Sequence, residues 1–402
     1  MKISPGQLRR KILGDKYNAV IFEKGRYRGI YLVGGYVRDA LRGVRSQDRD
    51  FVVSGDVKSF VRDIRDILGG TIVKFRKGGM VRLALEGGLT FDFSAPMGTI
   101  EEDLSKRDFT VNAIAWTPER GVVDIHQGLK DLEKNRIRMI SEINLISDPL
   151  RVLRAYRFAA ELGGSIEKRT RYAIKALHNR IEGVSPERIT LELFNLLNSK
   201  GSSGYLGSGL ADGVLSDILS LPDKMLGSNI RAISKLERRT LEVLPGEIKV
   251  LLDTIFSQNL TYKGLLCLEL LLYGGIPGVG KIRMSSNIVN RIQLVFRGLA
   301  ELRRWRSELQ GKLFDLFVQL KGAVLDGLII SGRLELLEDY RRFIKIMKYG
   351  LLGSKDVMKI MDVGPGPSVG KGLLALRKAQ FQGIIGSKAE AVDFVRGLNR
   401  RA

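Results

Sequence analysis

Between residues 29 and 140, short apolar runs alternate with glycine-containing breaks, which is the pattern of β-strands joined by tight turns. One longer run, VKSFVRDIRDILG at 57–69, has its apolar residues at helical spacing and predicts a helix among the strands. This part of the chain is therefore predicted to be a mixed α/β domain. The predicted strands are GIYLVGG, RDFVVSG, TIVKF, MVRLALEG, LTFDFSA, NAIAWTP and GVVDI.

Near residue 148 the pattern changes to amphipathic stretches with helical periodicity, and little strand signal follows. The remainder up to Ala402 is predicted to be helical, with short Gly- or Ser-rich breaks. The predicted fold class is α+β, a mixed-sheet head followed by an all-α neck, body and tail. The expected boundaries are 1–140 for the head, 141–200 for the neck, 201–290 for the body and 291–402 for the tail.

Charge is the strongest signal in the composition. The 402 residues carry a formal net charge of +22, and the pI is near 10.0. Such a charge favours a polyanionic partner, either nucleic acid or an anionic membrane surface. The tail at 291–402 holds 21 Lys and Arg against 11 Asp and Glu, so we expect it to contact the polyanion.

Several other classes of protein are disfavoured by the sequence. No apolar run approaches the ~20 residues of a membrane span, and the basic N-terminal stretch lacks the apolar core of a signal peptide. The one cysteine, Cys267, cannot form an internal disulfide and suits a reducing compartment. His126 and His178 lie far apart, which argues against a His-rich metal site. We expect a cytoplasmic protein without a membrane partner.

The stretch YLVGGYVRDALRGVRSQDRDFVV at 31–53 carries the candidate chemistry. Asp48 and Asp50 are two residues apart on a predicted strand, so their carboxylates project from the same face and repel each other. A divalent cation removes the repulsion, and such hard oxygen ligands favour Mg²⁺. The glycine pair Gly34 and Gly35 allows close approach of a phosphate, and Arg38 lies on the helix that follows. Together these features indicate a metal-bound nucleoside triphosphate and phosphoryl transfer.

Three further stretches occur downstream in a fixed order: TIEEDLSKRDFTVNAIAW at 99–116, SDPLRVLRAYRFAAELG at 147–163 and SPERITLEL at 185–193. With these motifs the chain resembles the class II tRNA nucleotidyltransferase and bacterial poly(A) polymerase family. The resemblance covers roughly residues 29–200 and returns at 363–395, which is similar to the tail of the tRNA-specific members. Among family members the chain is most like a tRNA CC-adding or CCA-adding enzyme.

The resemblance implies a polymerase-β-like nucleotidyltransferase head and template-independent addition of nucleotides to the 3′ end of tRNA. CTP is the implied substrate, with ATP a further candidate. Two Mg²⁺ ions would be held by Asp48 and Asp50, and Asp92 is either a third catalytic carboxylate or a buried structural residue. The tail would bind tRNA at its acceptor and T arms, recognising backbone shape rather than base edges.

The remaining implied site residues bind the nucleotide. Gly34, Gly35 and Arg38 would hold phosphates, whereas Arg107 and Asn112 would line the ribose and phosphate side. The family's arginine before Arg107 is replaced by Lys106, which keeps the charge but loses the planar fork.

The neck is implied to select the base. Asp148 and Arg151 would contact the Watson–Crick edge of the incoming base, Asp accepting from an exocyclic amine and Arg donating. Arg154 is expected to reach phosphates, and Arg157 is either a phosphate contact or a structural residue. Ser147 stands where the family has an acid and is expected to cap the helix that begins there.

A short segment, FSAPMGTI at 93–100, stands where members that add the terminal A carry a longer flexible loop. Its shortness favours a CC-adding enzyme that leaves A addition to a separate A-adding enzyme. The alternatives are complete CCA addition, a poly(A) polymerase on other RNA, and a non-catalytic RNA-binding protein. Intact acidic and basic motif residues argue against the last of these.

Overall fold

The computed structural model describes residues 4–26, 28–46, 48–74, 79–275, 280–306 and 311–399. These residues belong to two compact units. The first comprises Met1–Ser220 with Gly280–Ile282, and the second comprises Leu221–Val279 with Arg283–Ala402. The predicted α+β class is confirmed, because one large mixed sheet lies in the first unit and helices dominate the rest of the chain. The finer division into head, neck, body and tail stays a prediction.

A seven-stranded mixed sheet forms the centre of the first unit, and a separate two-stranded pair accompanies it. The strands are β1 (Ile30–Val33), β2 (Asp48–Val53), β3 (Thr71–Lys74), β4 (Val81–Ala84), β5 (Thr90–Ser94), β6 (Ala115–Thr117), β7 (Gly121–Val123), β8 (Arg136–Ile137) and β9 (Ser165–Ile166). The order in the sheet is β3-β4-β5-β2-β1-β6-β7. The central strands β2 and β5 are parallel, and the other neighbouring strands pair antiparallel. Strands β8 and β9 form the separate parallel pair.

Twelve described α-helices accompany these strands in the first unit. They are α1 (Pro5–Leu13), α2 (Lys16–Lys24), α3 (Gly35–Arg42), α4 (Val57–Leu68), α5 (Ile100–Ser105), α6 (Gly128–Glu133), α7 (Glu142–Ser147), α8 (Leu150–Leu162), α9 (Lys168–Leu177), α10 (Pro186–Asn198), α11 (Ser202–Ala211) and α12 (Val214–Leu219).

Helix α4 illustrates how local sequence sets an element of the first unit. The Asp56 carboxylate accepts hydrogen bonds from the backbone N–H groups of Lys58 and Ser59 at 2.9 and 3.1 Å, which caps the first turn. Phe60 and Ile64, one turn apart, are fully buried on the face toward the sheet. The helix ends before Gly69. The helical run predicted at 57–69 is therefore confirmed.

Helix α8 supplies one wall of the site described below. Nine of its thirteen residues are buried, and it packs against α10 and α11. Its arginines lie between the apolar positions, and Arg151, Arg154 and Arg157 line the cavity described below. The helix therefore presents basic side chains from a rigid base.

The second unit is mainly helical, as predicted, but a small antiparallel hairpin of β10 and β11 interrupts it. This hairpin and β9 correct the expectation that strands end near residue 148. Its elements are α13 (Asp223–Lys235), α14 (Gly246–Leu252), β10 (Ile255–Ser257), β11 (Leu260–Thr261), α15 (Tyr262–Leu271), α16 (Ser286–Arg303), α17 (Leu313–Leu320), α18 (Val324–Ser331), α19 (Leu337–Lys348), α20 (Ser354–Met361), α21 (Pro367–Phe381) and α22 (Lys388–Asn399).

Helix α15 is buried along almost its whole length and runs through the core of the second unit. Within the described parts of the chain, no helix combines the length and the apolar character needed to cross a membrane.

Candidate active site

One cavity of about 840 Å³ in the first unit collects every residue that the sequence analysis assigned to the site. The cavity is lined by one face of the central strands β2 and β5 and by the arginines of α8. The predicted residues that line it are Gly34, Gly35, Arg38, Asp48, Asp50, Asp92, Arg107, Asn112, Asp148, Arg151, Arg154 and Arg157. Their roles in binding or catalysis stay predictions, but the structure brings all twelve together.

Asp48 and Asp50 form the floor of the cavity. Both lie on β2 and are exposed, whereas Arg49 between them points to the opposite face, where it is buried and pairs with Asp15 at 2.6 Å. This is the alternation expected of a strand, and it places the two carboxylates on one face. The Asp48 carboxylate also accepts a hydrogen bond of 2.7 Å from the Thr90 hydroxyl on β5.

A third carboxylate, Asp92, lies beside Asp50. Strands β2 and β5 are parallel and in register, so Asp50 and Asp92 are direct neighbours. Asp92 is bound by Arg82 of β4 through two hydrogen bonds of 2.7 and 2.6 Å. Asp48, Asp50 and Asp92 are named here the carboxylate edge.

Electrostatics at the carboxylate edge favour a bound cation. Burial among the surrounding protein atoms raises the pKa of Asp50, Arg107 opposes that rise, and the neighbouring charges of Asp92 and Asp48 add to it. A divalent cation would relieve this repulsion, and carboxylate oxygens are ligands that Mg²⁺ prefers.

The donors of the edge that fit a metal are Asp48 and Asp50. Across the described ranges, no three His, Cys, Asp or Glu side chains converge as a ready-made metal site. Because Asp92 is occupied by Arg82, the first two carboxylates are the candidate ligands.

Gly34 lets the chain pass close to the carboxylate edge. It adopts φ 72° and ψ −133°, a conformation that side-chain-bearing residues rarely adopt. A Cβ added at Gly34 would lie 2.9 Å from Nη1 of Arg107 and 3.5 Å from Oδ2 of Asp50. The absence of a side chain therefore keeps open the space between these two groups, where helix α3 begins.

Arg107 and Asn112 lie on the other side of this space. Arg107 donates to Asp103 at 3.2 Å, and its charge acts on Asp50. Asn112 is buried, where it accepts a hydrogen bond of 2.7 Å from Arg38 and donates one of 3.0 Å to Asp108. Asn112 therefore links Arg38 to Asp108 in addition to lining the cavity.

The predicted base-selecting pair also lines the cavity. Asp148 stands between α7 and α8 and accepts a hydrogen bond of 2.8 Å from Arg188 of α10. Arg151, in the first turn of α8, donates to the carbonyl of Asn144 at 2.9 Å. Each member of the pair is thus held by a group other than its partner.

The expected capping role of Ser147 is wrong. Ser147 is the last residue of α7, and its hydroxyl donates to the carbonyl of Asn144 at 3.0 Å. Helix α8 begins only at Leu150, with Pro149 before it. Ser147 does not cap α8 because it belongs to the C-terminal turn of α7, where its hydroxyl is already bonded.

Arg38, Arg154 and Arg157 surround Phe158 and are named here the arginine ring. Their guanidinium carbons lie 5.2, 5.0 and 3.8 Å from the centre of the phenyl ring. Phe158 is 4% exposed, so these contacts are shielded from water. The arginines therefore share one apolar platform.

Every arginine of the ring also has carboxylate partners. Arg154 binds Asp108 at 2.8 Å and Glu192 at 2.9 Å. Arg157 binds Glu192 at 2.5 Å and also pairs with Glu161.

The pairing with Arg154 keeps the buried Asp108 carboxylate charged. Although burial opposes it, the pKa of Asp108 is lowered by Arg154 and by the hydrogen bond from Asn112. Most of the ring's hydrogen-bonding capacity is therefore satisfied inside the protein.

Sequence reasoning missed the partners that hold the predicted residues. A charged residue on an otherwise apolar face was the available signal for Glu192, which lies among the leucines of SPERITLEL. Arg82 stands likewise at an alternating position in the strand MVRLALEG. The cavity-lining residues that were not predicted include Tyr36, Arg82, Thr90, Asp108, Phe158, Glu161 and Asn195.

The segment after β5 is short and fixed at both ends. Only residues 95–99 separate β5 from α5. Thr99 caps α5 in a reciprocal arrangement with Glu102, and the Lys106 ammonium donates to the carbonyl of Met97 at 3.0 Å. Lys106, the residue that departs from the family pattern, thus holds the short segment in place.

Two family models match the first unit. The model described as poly A polymerase head domain matches residues 89–138, which include Asp92 and Arg107. The model described as probable RNA and SrmB-binding site of polymerase A matches residues 164–207, which include α10.

Relatives match nearly the whole chain. A CC-adding tRNA nucleotidyltransferase of Geobacter sulfurreducens is 31% identical over 91% of this chain and 91% of its own length. A CC-adding tRNA nucleotidyltransferase of Synechocystis sp. is 29% identical over 92% and 93%. The structure of a Thermotoga maritima CCA-adding enzyme complexed with tRNA covers 98% of both chains with a TM-score of 0.73 at 21% identity. This chain belongs to the class II tRNA nucleotidyltransferase and poly(A) polymerase family.

Proposed function

We propose that this chain adds two cytidines from CTP to the 3′ end of tRNA and stops before the terminal A. The observation that carries the proposal is the segment of five residues, 95–99, between β5 and α5. It leaves no length of chain beside the carboxylate edge for a mobile loop that could reshape the base pocket for ATP. CC-adding, A-adding and CCA-adding relatives all match nearly the whole chain, so the short segment, and not the extent of the matches, carries the choice among these activities.

Contacts at both ends of this segment support a fixed pocket. Gly98 adopts φ 94°, and a Cβ there would collide with the Glu102 carboxylate at 1.8 Å. That carboxylate accepts the backbone N–H of Thr99 at 2.8 Å, which completes the cap of α5. With Lys106 bound to Met97 as well, the segment has little freedom to move.

The carboxylate edge would hold Mg²⁺ through Asp48 and Asp50. When bound, Mg²⁺ would supply positive charge to the triphosphate and make the 3′ hydroxyl of the tRNA a better nucleophile. Arg107 lies opposite Asp50 across the gap that Gly34 leaves, where it can bind phosphate oxygens. Helix α3 begins beside this gap, and its free backbone N–H groups favour an anion.

The base would lie at the Asp148 end of the cavity. Arg188 occupies one oxygen of Asp148 and so orients the other. The carboxylate can accept from the exocyclic amine of cytosine, and Arg151 can donate to the ring nitrogen and carbonyl of the same edge. This pair replaces a nucleic-acid template, since protein groups read the incoming base.

The polyanionic partner is tRNA. The net charge of +22 makes binding to a phosphate backbone favourable and sensitive to salt. The family matches extend from the head to α10 and α11, so both regions are expected to act on the same RNA. A separate A-adding enzyme would then complete the terminus.

The test is single-nucleotide mapping of the products made from a tRNA transcript that lacks its CCA end. Reactions contain CTP, ATP or both, and a matched Asp48→Asn protein serves as the inactive control. Growth by two nucleotides with CTP, and no further with both, is expected. Growth by three nucleotides would establish complete CCA addition, and a long ladder with ATP alone would establish a poly(A) polymerase.

A loop graft separates cause from coincidence. Insertion of a flexible segment of about ten residues between Met97 and Gly98 should permit a third addition if the short segment limits the enzyme. An unchanged product of two nucleotides from an active grafted enzyme would contradict that role of the segment.

A further inference from the structure

Arg82 is a charged residue beside the carboxylate edge to which the proposed reaction gives no role. It lies on β4 directly opposite Asp92 of β5 in the antiparallel register. Its Nε and Nη2 atoms each donate to a different oxygen of Asp92, at 2.7 and 2.6 Å. This is the bidentate geometry that arginine forms most favourably with a carboxylate. Arg82 also lines the cavity, where 37% of its side chain is exposed.

The pair stands one strand away from the candidate metal ligands. Asp92 is the register neighbour of Asp50, and its charge is felt by Asp50. Arg82 in turn responds to Asp92 through their hydrogen bonds, and to the charges of Asp48 and Asp50. One guanidinium therefore faces a group of three carboxylates and is bound to the third.

Two consequences follow for a cation that approaches this edge. With both oxygens of Asp92 engaged by Arg82, that carboxylate cannot coordinate a metal without breaking two charge-assisted hydrogen bonds. The positively charged guanidinium of Arg82 would also repel a divalent cation that approaches Asp92.

We propose that Arg82 withholds Asp92 from the metal, so that the nucleotide-free edge binds divalent cations weakly and through Asp48 and Asp50 alone. Arg82 acts here as a positioning residue, since it works through Asp92. Tight metal binding then depends on the triphosphate, which brings its own oxygen ligands. This inference rests on the proposed metal site at the same edge.

The test uses Mn²⁺ as a probe on the full-length, nucleotide-free protein. Mn²⁺ affinity is measured by calorimetry, and the number of water molecules on bound Mn²⁺ by water-proton relaxation. Arg82→Met should raise the Mn²⁺ affinity at least tenfold and remove at least one coordinated water, because the released Asp92 becomes a ligand. Arg82→Lys keeps the charge but loses the fork, and should give an intermediate gain of several fold.

The matched control is Arg120→Met, which removes an equal charge from an exposed arginine paired with Glu101. It should leave Mn²⁺ affinity within twofold of the wild type. An unchanged affinity in Arg82→Met would overturn the inference. So would a higher affinity with unchanged hydration, since that result shows a change of charge alone.

The proposed metal site can fail separately. Asp48→Asn should reduce Mn²⁺ affinity strongly in both the wild-type and the Arg82→Met backgrounds. If Asp48→Asn leaves Mn²⁺ binding intact in both, the metal lies elsewhere and the proposed function loses its metal ligands. Should Asp48→Asn abolish binding while Arg82→Met changes nothing, the metal site stands and the role of Arg82 is refuted.

Discussion

The carboxylate edge and the arginine ring line one cavity and satisfy their charges differently. At the edge, Asp48 and Asp50 face the open cavity, and the protein atoms packed around Asp50, together with the nearby carboxylates, raise its pKa. In the ring, Arg154 and Arg157 share the buried Glu192 and stack on Phe158. Asp50 would therefore be stabilised in its charged form by a bound cation, whereas Arg154 and Arg157 already have carboxylate partners within the protein.

This difference separates function from stability within one site. Groups that are strained until a ligand arrives should be dispensable for folding and essential for reaction. Groups that satisfy one another should be essential for folding first. Arg154 and Arg157 line the cavity, yet their carboxylate partners give them a structural task that Asp48 and Asp50 do not have.

Removal of a floor carboxylate should have the largest effect of all. Asp48→Asn is expected to lower the rate of CMP transfer about 10³-fold or more, because a metal ligand is lost. The free energy of unfolding should stay the same or rise slightly, since one repulsive charge disappears. Single-turnover kinetics and urea unfolding measure the two quantities on one preparation.

Asp66→Asn is the matched control, because Asp66 is an exposed acid on α4 that pairs only locally with Arg65 among the contacts described. It should change neither rate nor stability. If Asp48→Asn lowered the free energy of unfolding as much as a core substitution does, the carboxylate edge would contribute to folding, and the proposed difference between the edge and the arginine ring would be wrong.

Removal of the shared acid of the ring should give the opposite signature. Glu192→Gln leaves two partly buried guanidinium groups short of one negative charge, and should lower the free energy of unfolding by about 3 kcal/mol. Chemical denaturation followed by circular dichroism measures this loss. Glu142→Gln, an exposed acid in the first turn of α7, is the control and should change it by about 0.5 kcal/mol at most. If Glu192→Gln lowered the free energy of unfolding by less than the control does, the ion pairs of the ring would not stabilise the fold.

The smallest effect is expected in the pH dependence of metal binding. Because the pKa of Asp50 is raised, this carboxyl stays protonated to a higher pH than an ordinary aspartic acid. Mn²⁺ affinity should therefore fall as the pH is lowered through that raised pKa, above the range in which an ordinary aspartic acid titrates. Asp92→Asn removes a neighbouring negative charge, so the fall should move to lower pH. A shift to higher pH, measured by calorimetry across pH 4 to 7, would contradict this cause.

The positions of the predicted site residues followed from short-range geometry. Strand periodicity places Asp48 and Asp50 on one face of β2, independently of the rest of the fold. The glycine pair predicted a close approach of the backbone, and Gly34 has the positive φ that glycine adopts readily. The pair of Arg82 and Asp92 was also within reach, because the two residues are equally far from Gly87 in the turn between β4 and β5. Hairpin symmetry was the overlooked signal.

The arginine ring could not be derived in that way. Arg154 and Glu192 are far apart in sequence, and they meet because α8 packs on α10, which depends on the choice of helix faces and crossing angle. The Ser147 cap was wrong for a related reason. A serine two residues before a proline suits the start of a helix or the end of one, and the presence of α7 decides between them.

The most direct test of the account is a crystal structure of the full chain with CTP and Mn²⁺, in which anomalous scattering locates the metal. The account predicts Mn²⁺ about 2.1 Å from carboxylate oxygens of Asp48 and Asp50, with the triphosphate on the side of Gly34 and Arg107. The arginine ring should keep its carboxylate partners unchanged. Mn²⁺ away from both aspartates, or a triphosphate that displaces Glu192 from the ring, would contradict the central claim.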